Sequence, residues 1–117
     1  MAALVLLVDD DPEVLHTLRD LLESAGYQVL ATTSFADAKR LLAGTPPPDV
    51  LITDVRLGMF NGLQLAVLRA PTTGVIVISG HFDRTLAAET RRLGGIYMLK
   101  PVPAAVLLET VASMVTR

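Results

Sequence analysis

Residues 7–12 read LVDDDP, so an apolar run closes on three aspartates, and a second run, LITD, closes on Asp54. Two further apolar runs close on polar groups that could work with them: VIVIS on Ser79, followed by Gly80, and IYMLK on Lys100, followed by Pro101. If Asp9, Asp10 and Asp54 meet, their charges must be offset. A like pair ~5 Å apart at an effective dielectric near 20 repels by ~3 kcal/mol. The donors available are all oxygens, which selects a hard divalent cation, Mg²⁺ before Ca²⁺, because Mg²⁺ accepts few protein ligands and keeps several waters. Open coordination positions of that kind suit phosphate oxygens. Asp11 is set apart from the pair, because an acid just before Pro12 and Glu13 reads as the cap of a helix.

The elements that must bring these groups together follow from hydrophobic period. Runs at 3–8, 27–31, 49–53, 75–79 and 96–100 read as strands, three of them apolar almost throughout, as in a parallel sheet covered on both faces. Between them, Val14, Leu15, Leu18, Leu21, Leu22 and Ala25 recur at helical spacing before Gly26. Ser34 with Asp37 resembles a capping box, followed by Ala38, Leu41 and Leu42 up to Gly44. Further helices are expected over Leu63–Arg69, Thr85–Leu93 and Ala104–Met114. Five βα units imply a doubly wound parallel sheet with right-handed crossovers, whose ligands bind beyond the carboxyl ends of the strands. Asp9, Asp10, Asp54, Ser79 and Lys100 all stand at such ends.

Composition excludes other chemistries. The 117 residues suit one domain over 1–117, and the formal charge of −2, with basic residues scattered, argues against direct nucleic-acid binding by this segment. Without cysteine there is no disulfide, thiolate nucleophile or cysteine zinc site. No apolar stretch approaches the ~20 residues of a membrane span, and no secretory leader is evident, so a cytoplasmic location away from the membrane is expected.

Taken in order, LVDDDP, LITDVRL with NG, VIVISG and YMLKP resemble the receiver domain of two-component response regulators, and the resemblance covers essentially the whole chain. It implies a flavodoxin-like (βα)5 fold with strand order 2-1-3-4-5. By position, Asp54 would be the phosphoacceptor, and Asp9, Asp10, Asp54 and the backbone carbonyl of Arg56 would hold Mg²⁺. Lys100 would be the family's lysine, with a cis bond to Pro101. Ser79 would be the switch hydroxyl and Tyr97 the switch aromatic, although an amphipathic ring on an edge strand also packs without switching. His81 falls where receivers tune hydrolysis of the acyl phosphate, and His16 reads as solvated surface. Three acids, Lys100 and Mg²⁺ sum to a neutral site, so the charge added by phosphorylation must be read by something mobile. The resemblance also implies a histidine kinase or phosphotransfer protein as donor, a surface of helix four, strand five and helix five that responds, and a homodimer through that surface, with Arg84, Glu89, Arg91 and Arg92 available for ion pairs.

The chain departs from the family pattern in places. Gly58 replaces the usual proline, Phe60-Asn61-Gly62 the usual MDG, and Gly80 a frequent alanine. A more flexible loop after Asp54 is therefore expected. The interval from Asp54 to Ser79 is short, which leaves the third helix about two turns. A receiver-like interaction module that works without phosphorylation is the alternative function. A haloacid-dehalogenase-like phosphatase would want an acid two residues after its nucleophile, where this chain has Arg56. The expected activity is therefore autocatalytic phosphoryl acceptance and loss rather than turnover of a separate substrate.

Overall fold

A computed structural model describes residues 2–115. Five strands, β1 (Leu4–Val8), β2 (Gln28–Thr32), β3 (Val50–Asp54), β4 (Gly74–Ser79) and β5 (Ile96–Leu99), form one sheet in which every pairing is parallel. Their order is β2-β1-β3-β4-β5, so β1 and β3 are central and the strand order reverses beside them. That is the order implied by the resemblance. Five helices alternate with the strands: α1 (Pro12–Ser24), α2 (Phe35–Leu42), α3 (Gly62–Leu68), α4 (Arg84–Arg92) and α5 (Ala104–Val115).

Successive side chains on a strand point to opposite faces, so each central strand feeds two cores. Leu6, Val8, Leu51, Val75 and Val77 pack with Ala38 and Leu42 of α2, Leu65 and Ala66 of α3, and Leu86 of α4. Val5, Leu7, Val50, Ile52, Ile76 and Ile78 pack with Leu22 of α1 and Leu107 and Val111 of α5. Leu22 is fully buried, and its truncation to alanine is expected to cost about 2–5 kcal/mol. Both layers clamp the central strands and leave only their ends free to carry polar chemistry.

Local signals account for the helix starts. The Asp11 side chain accepts from Glu13 N at 3.0 Å with Pro12 in the first turn, as expected of a cap. Ser34 caps α2 by accepting from Asp37 N at 3.1 Å. The start of α3 is set one residue earlier than its apolar period suggests, by a capping box in which Asn61 accepts from Leu63 N at 2.8 Å and Gln64 Oε1 accepts from Asn61 N at 3.0 Å. The third helix is seven residues long, the two turns anticipated.

The segment after Asp54 is not a plain loop. Arg56–Leu57 pairs antiparallel with Phe60–Asn61 as a small hairpin, turning through Gly58 and Met59. Gly58 has φ +61°, the left-handed region that the first central residue of such a tight turn requires. Proline, locked near −65°, cannot stand there. Gly62 has a different reason to be glycine: a Cβ would overlap the Asp54 carbonyl oxygen and lie 2.7 Å from Thr53 Oγ1, so only a bare backbone lets α3 begin against the end of β3.

Candidate functional site

The carboxyl ends of β1, β3, β4 and β5 meet in one cleft. Asp9 and Asp54 are 2% and 8% exposed, while Asp10 is open to solvent. One carboxylate oxygen from each of the three lies within 4.8 Å of the others, as their strand-end positions require. Lys100, after β5, places Nζ 2.8 Å from Asp54 Oδ2 and 3.3 Å from Asp9 Oδ2. The Lys100–Pro101 bond is cis.

Backbone amides fix the remaining carboxylate oxygens. Asp9 Oδ1 accepts from Asp11 N at 2.9 Å, Asp54 Oδ1 from Arg56 N at 3.2 Å, and Asp10 Oδ2 from Gly58 N at 3.4 Å. The hairpin thus supplies amides to two of the three acids. Burial, with the neighbouring Asp54 charge, raises the Asp9 carboxyl above its ordinary value, against the opposing pull of the Asp11 amide and Lys100. Burial lowers the Lys100 ammonium, but its hydrogen bond to Asp54 and the charges of Asp9 and Asp54 outweigh that and hold it above 10.5. The lysine is therefore a fixed cation at neutral pH, and one cation faces three acids. An all-oxygen, partly buried set with excess negative charge fits a hard divalent ion.

Ser79, Gly80, His81, Phe82 and Asp83 form the opposite wall of the cleft, with Arg56 at its edge. Ser79 Oγ is turned toward its own loop: it donates to His81 O at 2.6 Å and accepts from His81 N at 3.2 Å. Tyr97 Oη donates to the same His81 carbonyl at 3.0 Å and accepts from Asp83 N, the N-cap residue of α4, at 3.3 Å. Its ring meets Phe82 edge-on at 6.3 Å and lies half-buried against the α2–α4 core. Of the residues singled out from the sequence, Asp9, Asp10 and Asp54 are brought within 4.8 Å of one another, and Lys100 pairs with Asp9 and Asp54. Ser79 lines the same cleft, and its hydroxyl and that of Tyr97 meet at the His81 carbonyl rather than at an acid. His16 is exposed beside Asp20 on α1 at 3.4 Å, the surface setting anticipated. Sequence reasoning missed the His81 carbonyl as a shared acceptor and the amides of Arg56 and Gly58. The carbonyl's role depends on a loop conformation without sequence signature, whereas the Asn61–Gln64 box was a readable sign that the chain turns before α3.

A sequence profile described as the response regulator receiver domain matches residues 5–112. The chain belongs to that family. The receiver is 32% identical, over 97% of its length, to the two-component response regulator PprB of Pseudomonas aeruginosa, and spans 44% of that protein. Among solved structures it is similar to a response regulator receiver domain from Clostridium thermocellum, with TM-score 0.91, 28% identity and coverage of 98% of this chain and 95% of that one. It is also similar to a response regulator from Burkholderia pseudomallei solved with a phosphorylated aspartic acid, a calcium ion and citrate, with TM-score 0.81, 25% identity and coverage of 93% and 66%. The chain thus shares its fold with response-regulator receivers, a family whose members bind a divalent metal at acidic residues, and it gathers Asp9, Asp10 and Asp54 into one acidic cluster. Receivers of this family interact with histidine kinases or phosphotransfer proteins. Among the described residues no helix is long and apolar enough to cross a membrane.

Proposed function

We propose that this receiver accepts a phosphoryl group onto Asp54 from the phosphohistidine of a sensor histidine kinase or phosphotransfer protein in the cytoplasm. The observation that carries the reading is the 2.8 Å contact of Lys100 Nζ with Asp54 Oδ2 inside a cluster of three acids. A carboxylate oxygen of Asp54 forms the new P–O bond as the P–N bond of the donor breaks, and the electron pair leaves on the imidazole. Phosphoryl transfer needs little beyond alignment and neutralisation of the equatorial oxygens. The amide of Arg56 aligns the Asp54 carboxylate, and Lys100 lies where a phosphoryl oxygen on Asp54 needs a positive partner. Asp9, Asp10 and Asp54, with the Arg56 carbonyl, would hold Mg²⁺, which supplies the remaining positive charge for the transferring group.

Once Asp54 carries the new charge, the Ser79 hydroxyl, which lines the same cleft, is a neutral donor able to turn toward it. Turning withdraws one of the two donors on His81 O, so Tyr97 and the start of α4 sense the event. A charge change at the acids thereby biases the surface of α4, β5 and α5 between two arrangements. That surface exposes Phe82, Ile96 and Leu99, which suits a homodimer or an output partner. Arg92 and Glu89 already pair with each other within α4 at 2.6 Å, which leaves Arg84 and Arg91 as the side chains to reach across it.

The test is intact mass after incubation with acetyl phosphate, with and without Mg²⁺, for the native chain and Asp54→Asn. The expected result is a Mg²⁺-dependent gain of one phosphoryl group, absent in the variant. Folded protein that gains none under any condition would instead support the phosphorylation-independent interaction module.

A further inference from the structure

The hairpin after Asp54 lacks the usual restraint on its path. Its turn residue is glycine, the least restrained backbone in the unfolded chain, and its two-residue ladder is too short to be stable alone. Its amides nevertheless reach two of the three acids, Arg56 N to Asp54 and Gly58 N to Asp10. At its base the chain is anchored to the sheet, since Val55 N donates to Ile78 O at 2.9 Å and Gly62 N to Val55 O at 2.8 Å, with Leu57 buried in the core. Beyond the turn, the contact that ties it down is aromatic: Phe60 stacks on Phe35, the first residue of α2, with centroids 4.3 Å apart and planes 11° from parallel.

Phe35 is itself tied to the acids from the other side. It follows Ser34, which is held by its cap bond to Asp37 and by Thr32 Oγ1, and the Thr32 carbonyl accepts from Asp9 N at 3.3 Å. A continuous path thus runs from Asp9 through the end of β2, Phe35 and Phe60 to the hairpin amides on Asp10 and Asp54. The geometry points to the Phe35–Phe60 stack as a strut that positions the hairpin, and with it the Gly58 amide and the Arg56 backbone, for binding of a divalent cation. Met59 beside it is 97% exposed and makes no such contribution. Half-exposed Phe60 is a positioning residue rather than part of the core, so its removal leaves the fold standing while it loosens the acid cluster's frame.

The role rests on Asp9, Asp10 and Asp54 holding a metal ion, so the test has one arm that needs no metal. Native protein, Phe60→Ala, Phe35→Ala, the double variant, Phe60→Tyr and Met59→Ala are compared by backbone ¹⁵N relaxation without metal and by titration calorimetry with Mg²⁺, with thermal melts alongside. In the relaxation arm the order parameters of residues 56–60 fall in Phe60→Ala and are kept in Phe60→Tyr and Met59→Ala. In the calorimetric arm Phe60→Ala binds Mg²⁺ about two- to tenfold more weakly, the range that one stacked pair can supply. The double variant is no weaker than the worse single one, because both remove the same contact. Unchanged hairpin order in Phe60→Ala overturns the strut whatever the metal does. Equal Mg²⁺ affinity in native protein and Phe60→Ala overturns its part in metal binding. Native protein that binds no Mg²⁺ removes the metal reading of the acids, and the relaxation arm then decides the strut alone.

Discussion

The hydroxyls of Ser79 and Tyr97, one at the end of β4 and one on the edge strand β5, donate to a single acceptor, the His81 carbonyl oxygen, at 2.6 and 3.0 Å. The oxygen has two lone pairs and both are used. Any event that draws Ser79 toward Asp54 therefore changes what holds Tyr97, without a long chain of intermediates. The shared carbonyl sits one step from the N-cap of α4, since Tyr97 Oη also accepts from Asp83 N.

Two hydroxyls on one carbonyl should not act independently. Ser79→Ala and Tyr97→Phe are each expected to cost about 0.5–1.5 kcal/mol in urea denaturation. The double variant should depart from their sum by about 0.5 kcal/mol or more. Additivity within ~0.3 kcal/mol would show that the shared acceptor couples nothing.

Asp9 gives a pH dependence whose sign is fixed by its raised carboxyl. The folded chain holds the Asp9 proton more tightly than the unfolded chain does. The stability gained is complete below the ordinary value near 3.8 and is lost as pH rises through the raised one. At pH 7 without metal, ionised Asp9 is thus a liability, and Asp9→Asn should be more stable than the native chain. The gap should close as the pH is lowered into the acid range. Added Mg²⁺ should stabilise the native chain and not the variant, by mass action. Melting curves from pH 4 to 8 with and without Mg²⁺ decide it, and a variant that melts below the native chain at pH 7 without metal would contradict the argument.

The acids and Lys100 were legible from sequence because a parallel sheet delivers every strand's carboxyl end to one rim, and an apolar run that closes on an acid marks such an end. What was hidden depends on contacts between distant residues. The segment after Asp54 forms a short hairpin that the sequence did not announce, because it depends on Gly58 taking a left-handed turn and on Phe60 meeting the distant Phe35. Ser79 could be placed beside the acids by its strand, but its rotamer, set by the His81 backbone, could not. Tyr97 was legible as an edge-strand ring, and its partner in the loop was not.

Two glycines at the rim should behave in opposite ways. Alanine at Gly62 would place its methyl against the Asp54 carbonyl and the Thr53 hydroxyl, so either α3 or the end of β3 must move. A loss of about 1–3 kcal/mol is expected, with weaker phosphorylation at Asp54 because the strand end is displaced. A Cβ at Gly80 would meet nothing within 4 Å, so Gly80→Ala should leave stability within about 0.5 kcal/mol of the native value. Chemical denaturation of the two variants side by side separates a steric requirement from a tolerated glycine, and equal losses would refute it.

The short third helix requires its own closure, which Arg69 supplies. The helix ends at Leu68, and Arg69, with extended backbone, sends its guanidinium back to the Ala66 carbonyl at 2.6 Å, to the Thr73 carbonyl at 3.2 Å and to the Leu93 carbonyl at the end of α4. A cation at the C-termini of two helices complements both dipoles, and its planar fork reaches three acceptors that water would otherwise have to satisfy in a half-buried seam. Arg69→Met keeps the apolar stem and removes every donor, so it should cost about 2 kcal/mol. Arg69→Lys, with one compact ammonium, should recover only part of it. Because Leu93 closes α4, amide hydrogen exchange should accelerate at the C-terminal turn of α4 as well as in α3. Acceleration confined to α3 would mean that Arg69 caps one helix and does not join two.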